Sequence, residues 1–143
     1  MFPRIFSLYT PDHFARADGM EGPDFEYHML VSATGLEISK EDLDGICERI
    51  FNLDRALLVR NWGRSRQDDE TLIPYFEREE AWVNPLLGEK KRMDREKFLR
   101  LMDEYYELRG WDMKTGRPLR AKLERLGLKY AADDLESRAL LPG

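Results

Sequence analysis

One cysteine, Cys47, and two histidines, His13 and His28, are the only thiol and imidazole donors in the 143-residue chain. A lone cysteine excludes an internal disulfide. One thiol with two imidazoles also falls short of the ligand set of a structural zinc or an iron–sulfur cluster. No stretch approaches the roughly 18 consecutive apolar residues of a membrane span. The opening Met1-Phe2-Pro3-Arg4 lacks the basic region and apolar run of a secretory signal, so the expectation is a soluble, cytoplasmic protein with no membrane role. The 10 glycines form no phosphate-binding loop, and there is no Gly-x-Ser-x-Gly or His-Glu-x-x-His motif, which leaves a self-contained hydrolase or nucleotide enzyme without support. Charge of one sign does not dominate either. With 23 Lys and Arg against 28 Asp and Glu, the net charge of −5 argues against a dedicated nucleic-acid binder. Strand-like alternation, internal repeats and low-complexity tracts are also missing.

What remains is 42% hydrophobic and 11% aromatic, enough to fold, in a length suited to one domain of roughly 150 residues. Residues 1–23 carry Pro3, Pro11, Gly19, Gly22 and Pro23 among unpatterned apolar residues, and are expected to form an irregular arm lying against a core or a partner surface. A helical pair follows over 24–63. Asp24 is placed to cap a short helix with Phe25, His28, Met29 and Ser32 on one face and Gly35 as its stop. Ser39 to Asp42 resembles a capping box, and Leu43, Ile46, Cys47, Ile50, Leu53, Leu57 and Leu58 then recur in steps of three and four towards Gly63. That spacing puts Glu48, Asp54 and Arg55 on the outer face. Residues 64–92 form an irregular packed excursion, with Leu72, Ile73, Tyr75, Phe76, Trp82, Val83, Leu86 and Leu87 to bury.

C-terminal helices are expected over 93–143. Asp94 caps the first, Met93 and Phe98 form a hydrophobic staple, and Phe98, Leu101, Met102, Tyr105 and Leu108 make its stripe up to Gly110. Pro118 occupies the expected first position of the next helix, which Gly127 closes, and a last short one spans about Lys129 to Ala139. The fold class is therefore all-α, a small orthogonal helical assembly with an irregular N-terminal arm and a long packed loop.

The chemistry-bearing residue types favour plain readings. Cys47 lies on the stripe of the long helix, as a small buried hydrophobe would. Asp68-Asp69, Asp103-Glu104 and Asp133-Asp134 are adjacent pairs in polar surroundings, so solvated faces are their default. Arg55, Arg60, Arg64 and Arg66 gather near Trp62, where single-strand contact is one reading. Asp54, Asp68, Asp69 and Glu70 lie close by, so ion pairing with a packed tryptophan is the other.

Two ordered blocks go further: Arg49-Ile50-Phe51-Asn52-Leu53-Asp54-Arg55 with Leu58-Val59-Arg60, and Asp103-Glu104-Tyr105-Tyr106-Glu107-Leu108-Arg109-Gly110-Trp111-Asp112 with Thr115-Gly116-Arg117-Pro118. Together they resemble the last helical domain of the tungsten-containing aldehyde ferredoxin oxidoreductase family, over about Ser32 to Leu128. The resemblance implies an enzyme oxidising aldehydes to carboxylates at a tungsten or molybdenum bis-pterin, with electrons leaving through a [4Fe-4S] cluster to ferredoxin. Most of the family's cluster cysteines and pterin motifs lie upstream of anything here, which implies that this chain cannot hold that cluster. Asp42-Leu43-Asp44-Gly45-Ile46-Cys47 looks like its Asp-x-x-Gly-Leu-Cys loop, but the sequence that follows resembles a helix well downstream of that loop. Phe2 to Phe6 instead looks like sequence just beyond the ligand cysteine, which implies a fragment beginning past the active site. Where the family tends to have Arg-Glu-Gly, this chain has Arg60-Asn61-Trp62-Gly63, which puts that loop's role in doubt.

The resulting expectation is a C-terminal domain that packs on the pterin domain, holds no cofactor or metal itself, names no catalytic residue and is inactive alone. Arg55, Arg60, Tyr106, Arg109, Trp111 and Asp112 are its candidate interdomain or channel-lining residues. The alternative is a free-standing helical interaction subunit that binds a separate pterin-bearing partner through residues 1–23.

Overall fold

The computed structural model describes residues 22–77 and 93–142, together with 83, 86 and 88, with side chains from residue 27 onward. Almost all of residues 1–23, with His13, and also Trp82 and Leu87 lie outside the described residues. The fold is all-α, and among the described residues the only β pairing is an isolated bridge between Trp111 and Pro118. The chain divides into two compact units, Met1–Phe51 and Asn52–Gly143.

In the first unit, helix α1 spans Gly22–Thr34, beginning two residues before Asp24. It ends at Gly35, whose φ of +70° suits a residue without Cβ and lets its N–H donate to the Val31 carbonyl at 2.9 Å. The Tyr27 hydroxyl donates to the Ile38 carbonyl at 2.9 Å, which ties the following turn back to the helix. Ser39 then caps helix α2, Lys40–Trp62: its Oγ accepts from the Asp42 N–H at 3.1 Å and donates to the Asp42 carboxylate at 2.7 Å. The unit boundary falls within α2. On its first half Leu43 and Cys47 are buried whereas Ile46 and Ile50 are about half exposed, so the apolar stripe is narrower than its spacing suggests.

In the second unit, the rest of α2 buries Asn52, Arg55, Ala56 and Val59. Arg55 therefore lies inside, against the expectation of an outer face, because a carboxylate and an indole meet it there. Leu57 remains exposed, and Trp62 is 74% exposed and does not pack as expected. After Gly63 come two short helices, α3 (Arg66–Asp69) and α4 (Ile73–Phe76). Of the apolar residues described in the excursion only Ile73 is buried. Leu72, Tyr75, Phe76, Val83 and Leu86 are exposed, because a four-residue helix can turn only one side chain inward. The Met93 N–H donates to the Phe76 carbonyl at 2.8 Å and brings the chain back beside α4.

Helix α5, Arg95–Arg109, starts where Asp94 accepts from the Lys97 N–H at 3.1 Å and ends at Gly110 in the left-handed region. Its buried residues are Met102 and Tyr106, with Tyr105 half-buried, while Leu101 and Leu108 of the expected stripe are exposed. Pro118 does not open the next helix. It pairs with Trp111, and helix α6 (Arg120–Arg125) follows Leu119. Gly127, at φ +70°, turns the chain into α7, Lys129–Ser137. Ala56 and Val59 of α2, Leu123 of α6, Leu128, and Ala132 and Leu135 of α7 form the core of this unit. Each of its buried leucines stabilises the fold by about 1.5–3 kcal/mol.

Candidate functional site

The two sequence blocks converge on Asp69. Arg55, 14 residues earlier on α2, approaches this carboxylate end-on, Nη1 to Oδ1 at 3.0 Å and Nη2 to Oδ2 at 2.5 Å. Arg64 donates its Nε to Oδ1 at 2.9 Å, and the Tyr106 hydroxyl of α5 donates to Oδ2 at 2.6 Å. The third donor of Arg55, Nε, reaches the Gly116 carbonyl at 2.9 Å. Its guanidinium also lies over the Trp111 ring, 4.5 Å from the centroid. Trp111 is fixed in turn by its indole N–H, which donates to the buried Asn52 side chain at 2.8 Å, and by ring contacts with Tyr105 and Tyr106. One bidentate ion pair thus holds α2, α3, α5 and the 112–118 turn in a single polar knot.

The turn is built to be held. Asp112 accepts from the backbone N–H and the hydroxyl of Thr115, each at 2.7 Å, and its own N–H donates to the Arg117 carbonyl at 2.8 Å. Gly116 has φ +67°, and a Cβ there would stand 2.7 Å from Arg55 Nη2 and 3.1 Å from the Tyr106 hydroxyl. The position therefore needs glycine both for its backbone conformation and for space. Arg66 grips the other side: its backbone N–H donates to the Thr115 carbonyl at 2.8 Å, and its guanidinium bonds the Met113 carbonyl, Glu70 and Asp103.

Burial works to raise the Asp69 carboxyl, but hydrogen bonds from Arg55 and Tyr106 and the Arg55 charge outweigh it and hold the group below the usual carboxylate range. Burial, then the bond to Asp69, pushes the Tyr106 phenol well above its ordinary value. Neither group is tuned to exchange a proton near neutrality, which a general acid or base requires. The arrangement is suited to orienting the elements it joins.

Of the six candidate residues, the structure brings together Arg55, Tyr106, Trp111 and Asp112. Arg60 stands apart, and Arg109 touches the cluster through the Tyr105 ring, which contacts Trp111. Arg60 pairs with Asp134 at 2.7 Å on the rim of a shallow apolar cleft of about 210 Å³ between α2 and α7, and Arg109 lies 5.3 Å over the Tyr105 ring. Arg55, Arg64 and Arg66 resolve into ion pairs with the neighbouring Asp69 and Glu70, whereas Arg60 pairs with the distant Asp134. Asp69 itself corrects an expectation: its side chain is 16% exposed and central, whereas its neighbour Asp68 is exposed and merely bonds Ser65. No local signal separates the two aspartates. Asn52 and Gly116 do lie inside the recognisable blocks and could have been found there.

The thiol donors of this chain do not fit a [4Fe-4S] cluster. The single thiol, Cys47, is 1% exposed in the middle of α2, and a [4Fe-4S] cluster needs four thiolates. Asp42 to Cys47 form helix, not a loop. No group of three His, Cys, Asp or Glu able to hold a metal occurs among the described residues, and none of their helices is long and apolar enough to cross a membrane.

A sequence model described as "Aldehyde ferredoxin oxidoreductase, domains 2 & 3" matches residues 5–128. The chain is 36% identical over 107 residues to the tungsten-containing aldehyde ferredoxin oxidoreductase of Thermococcus kodakarensis, covering 75% of this chain and 16% of that protein. The Pyrococcus furiosus protein of the same name is 32% identical over a stretch of the same length and coverage. The active-site complex BamBC of benzoyl-coenzyme A reductase, solved with 1,5-dienoyl-CoA, superposes with a TM-score of 0.58 at 28% identity, over 80% of this chain and 15% of that one. The chain thus spans about one-sixth of the length of the relatives it matches.

Proposed function

From the premise that this chain belongs to the aldehyde ferredoxin oxidoreductase family, we propose that it serves as the C-terminal helical domain of such an enzyme, packed against the metal-pterin domain and walling part of the cofactor and substrate channel. The whole enzyme would oxidise an aldehyde to a carboxylate at a tungsten or molybdenum bis-pterin and pass electrons through a [4Fe-4S] cluster to ferredoxin. The pterin-bound metal supplies the redox chemistry when present. The residues of this chain position surfaces around it.

The observation that carries the reading is the knot on Asp69. The two family-like blocks meet there, and their polar groups bond one another in an arrangement suited to holding the 112–118 turn rigid. Of the six candidates, Arg55, Tyr106, Trp111 and Asp112 act by shaping that turn, Arg109 supports it through the Tyr105 ring, and Arg60 acts from a separate surface. A free-standing subunit that engages a separate pterin-bearing chain through residues 1–23 is the second reading, and the absence of cluster ligands in this sequence fits both.

Anaerobic purification of the polypeptide from its native cells separates them. Tungsten or molybdenum and iron should co-elute with the chain and with aldehyde-dependent viologen reduction, while the purified 143-residue chain should hold no metal and reduce no dye. Metal and activity on the same polypeptide support the domain reading, and a distinct cysteine-rich partner supports the subunit reading. A native polypeptide with neither metal nor such a partner overturns both.

A further inference from the structure

We propose that residues 139–142, which follow α7, form a strap that latches the 112–118 turn and is poised to release it. The strap leaves α7 through Ala139, whose φ of +55° makes it the only non-glycine residue with positive φ among the described residues. The Ala139 N–H donates to the Glu136 carbonyl and the Leu140 N–H to the Leu135 carbonyl, each at 2.9 Å, the paired bonds with which a left-handed residue ends a helix. That position favours glycine. An alanine there carries a steric cost that departure of the strap relieves. Leu140 and Leu141, partly buried against the core of the unit, act in the opposite direction.

Arg117 joins the strap to the turn. Its Nη1 donates to the Leu140 carbonyl at a long 3.3 Å, and among the described residues its buried Nε has no hydrogen-bond partner. A buried donor left unpaired costs free energy that hydration in an opened state recovers. The alanine and the orphaned Nε therefore oppose closure, while the leucines and the helix-ending bonds favour it, a balance that local opening can tip. The backbone of the same arginine carries the link inward. Its carbonyl accepts from the Asp112 N–H at 2.8 Å, its N–H donates to the Thr115 hydroxyl at 3.3 Å, and the carbonyl of Gly116 before it accepts from Arg55 of the knot at 2.9 Å. Arg55, Arg66 and the Asp112 carboxylate hold the turn from the side of the knot, so the strap is the outermost of its ties and the first to yield. Loosening of the turn follows release of the strap. This inference does not rest on the enzymatic reading.

Residue-resolved amide hydrogen exchange of the full 143-residue chain, repeated at low concentrations of urea, tests both steps. The Leu140 amide should exchange about tenfold or more faster than those of Val59 and Ala132 in the core, with little dependence on urea, the mark of local opening. The Asp112 and Gly116 amides should fall between strap and core in both respects. Ala139 is itself exposed, so a change there acts on the backbone and leaves the core untouched. Ala139→Gly removes the strain and should slow exchange at Leu140, Asp112 and Gly116 by about fivefold, whereas the β-branched Ala139→Val should speed all three several-fold. A Leu140 amide as slow as the core overturns the proposal, and so does one that Ala139→Gly leaves unchanged. If both variants shift Leu140 but not Asp112 and Gly116, the strap opens without touching the turn and the latch is refuted. Exchange of Asp112 and Gly116 with the full urea dependence of the core refutes it too, because the turn then opens only with the whole unit.

Discussion

At the scale of single residues, Asp69 is the group on which the most depends. Its loss strands Arg55, 5% exposed, as a buried cation with only the Gly116 carbonyl and the Trp111 face for company. Asp69→Asn should therefore cost about 3 kcal/mol, read as a lower urea midpoint at unchanged slope. Tyr106→Phe removes one charge-assisted hydrogen bond and should cost about 1.5 kcal/mol. The two variants also divide the pH response. The Asp69 carboxyl is held below its ordinary value, so its stabilisation is present above the unfolded value of about 4 and fades as pH falls further. The Tyr106 phenol is held above its ordinary value, so its stabilisation is present below about pH 10 and fades as pH rises beyond it. The advantage of the wild type over Asp69→Asn should shrink chiefly on the acid side and its advantage over Tyr106→Phe chiefly on the alkaline side, each with a smaller change on the other limb because the bond between the two groups contributes to both shifts. Urea titrations across the pH range would show both limbs. The aspartate was illegible in the sequence because what distinguishes it from Asp68 is a pair of residues 14 positions before it and 37 after it.

At the scale of elements, what could be read was what is local. Ser39 and Asp42 at the head of α2, Asp94 and Lys97 at the head of α5, and the stops at Gly63, Gly110 and Gly127 all act within a few residues of themselves, and all stand where spacing places them. Which face of an amphipathic helix is covered is a different kind of fact. On α2 the covered face runs through Asn52 and Arg55, and on α5 through Met102 and Tyr106, because polar side chains there found partners on other elements. Periodicity cannot register a partner. The 112–118 turn shows the same dependence, since its Thr-Gly-Arg-Pro block is legible as a turn while its reason lies in Arg55. Gly116→Ala should cost about 1–3 kcal/mol, through the positive φ and through a Cβ 2.7 Å from Arg55 Nη2, a position the ion pair must vacate. Trp111 fluorescence should report the change as a red shift if the knot opens. An unaltered emission with unaltered stability would mean that the turn can shift away from Arg55.

At the scale of the whole molecule, the apolar residues exceed what the described fold encloses. Among the described residues the core of the second unit buries ten hydrophobic side chains, two of them alanine, while Trp62, Leu72, Tyr75, Leu101, Leu108 and Tyr130 are all more than half exposed. A core that small leaves little reserve in an isolated chain, since domains of this size are stable by only about 5–15 kcal/mol and their stability grows with enclosed apolar area. Leu135 is 1% exposed at the centre of that core, so Leu135→Ala should cost about 2–5 kcal/mol, read as a lower urea midpoint of the isolated chain. The companion substitution Leu72→Ala, at a position 63% exposed, should be silent in the isolated chain, because a side chain already in water loses almost no burial when truncated. The contrast becomes informative when both are placed in a native enzyme that contains this sequence. If the rest of the protein covers α4, Leu72→Ala acquires a cost there that it lacks alone. Equal melting of the substituted and unsubstituted enzyme would leave α4 in solvent and assign the packing to another face.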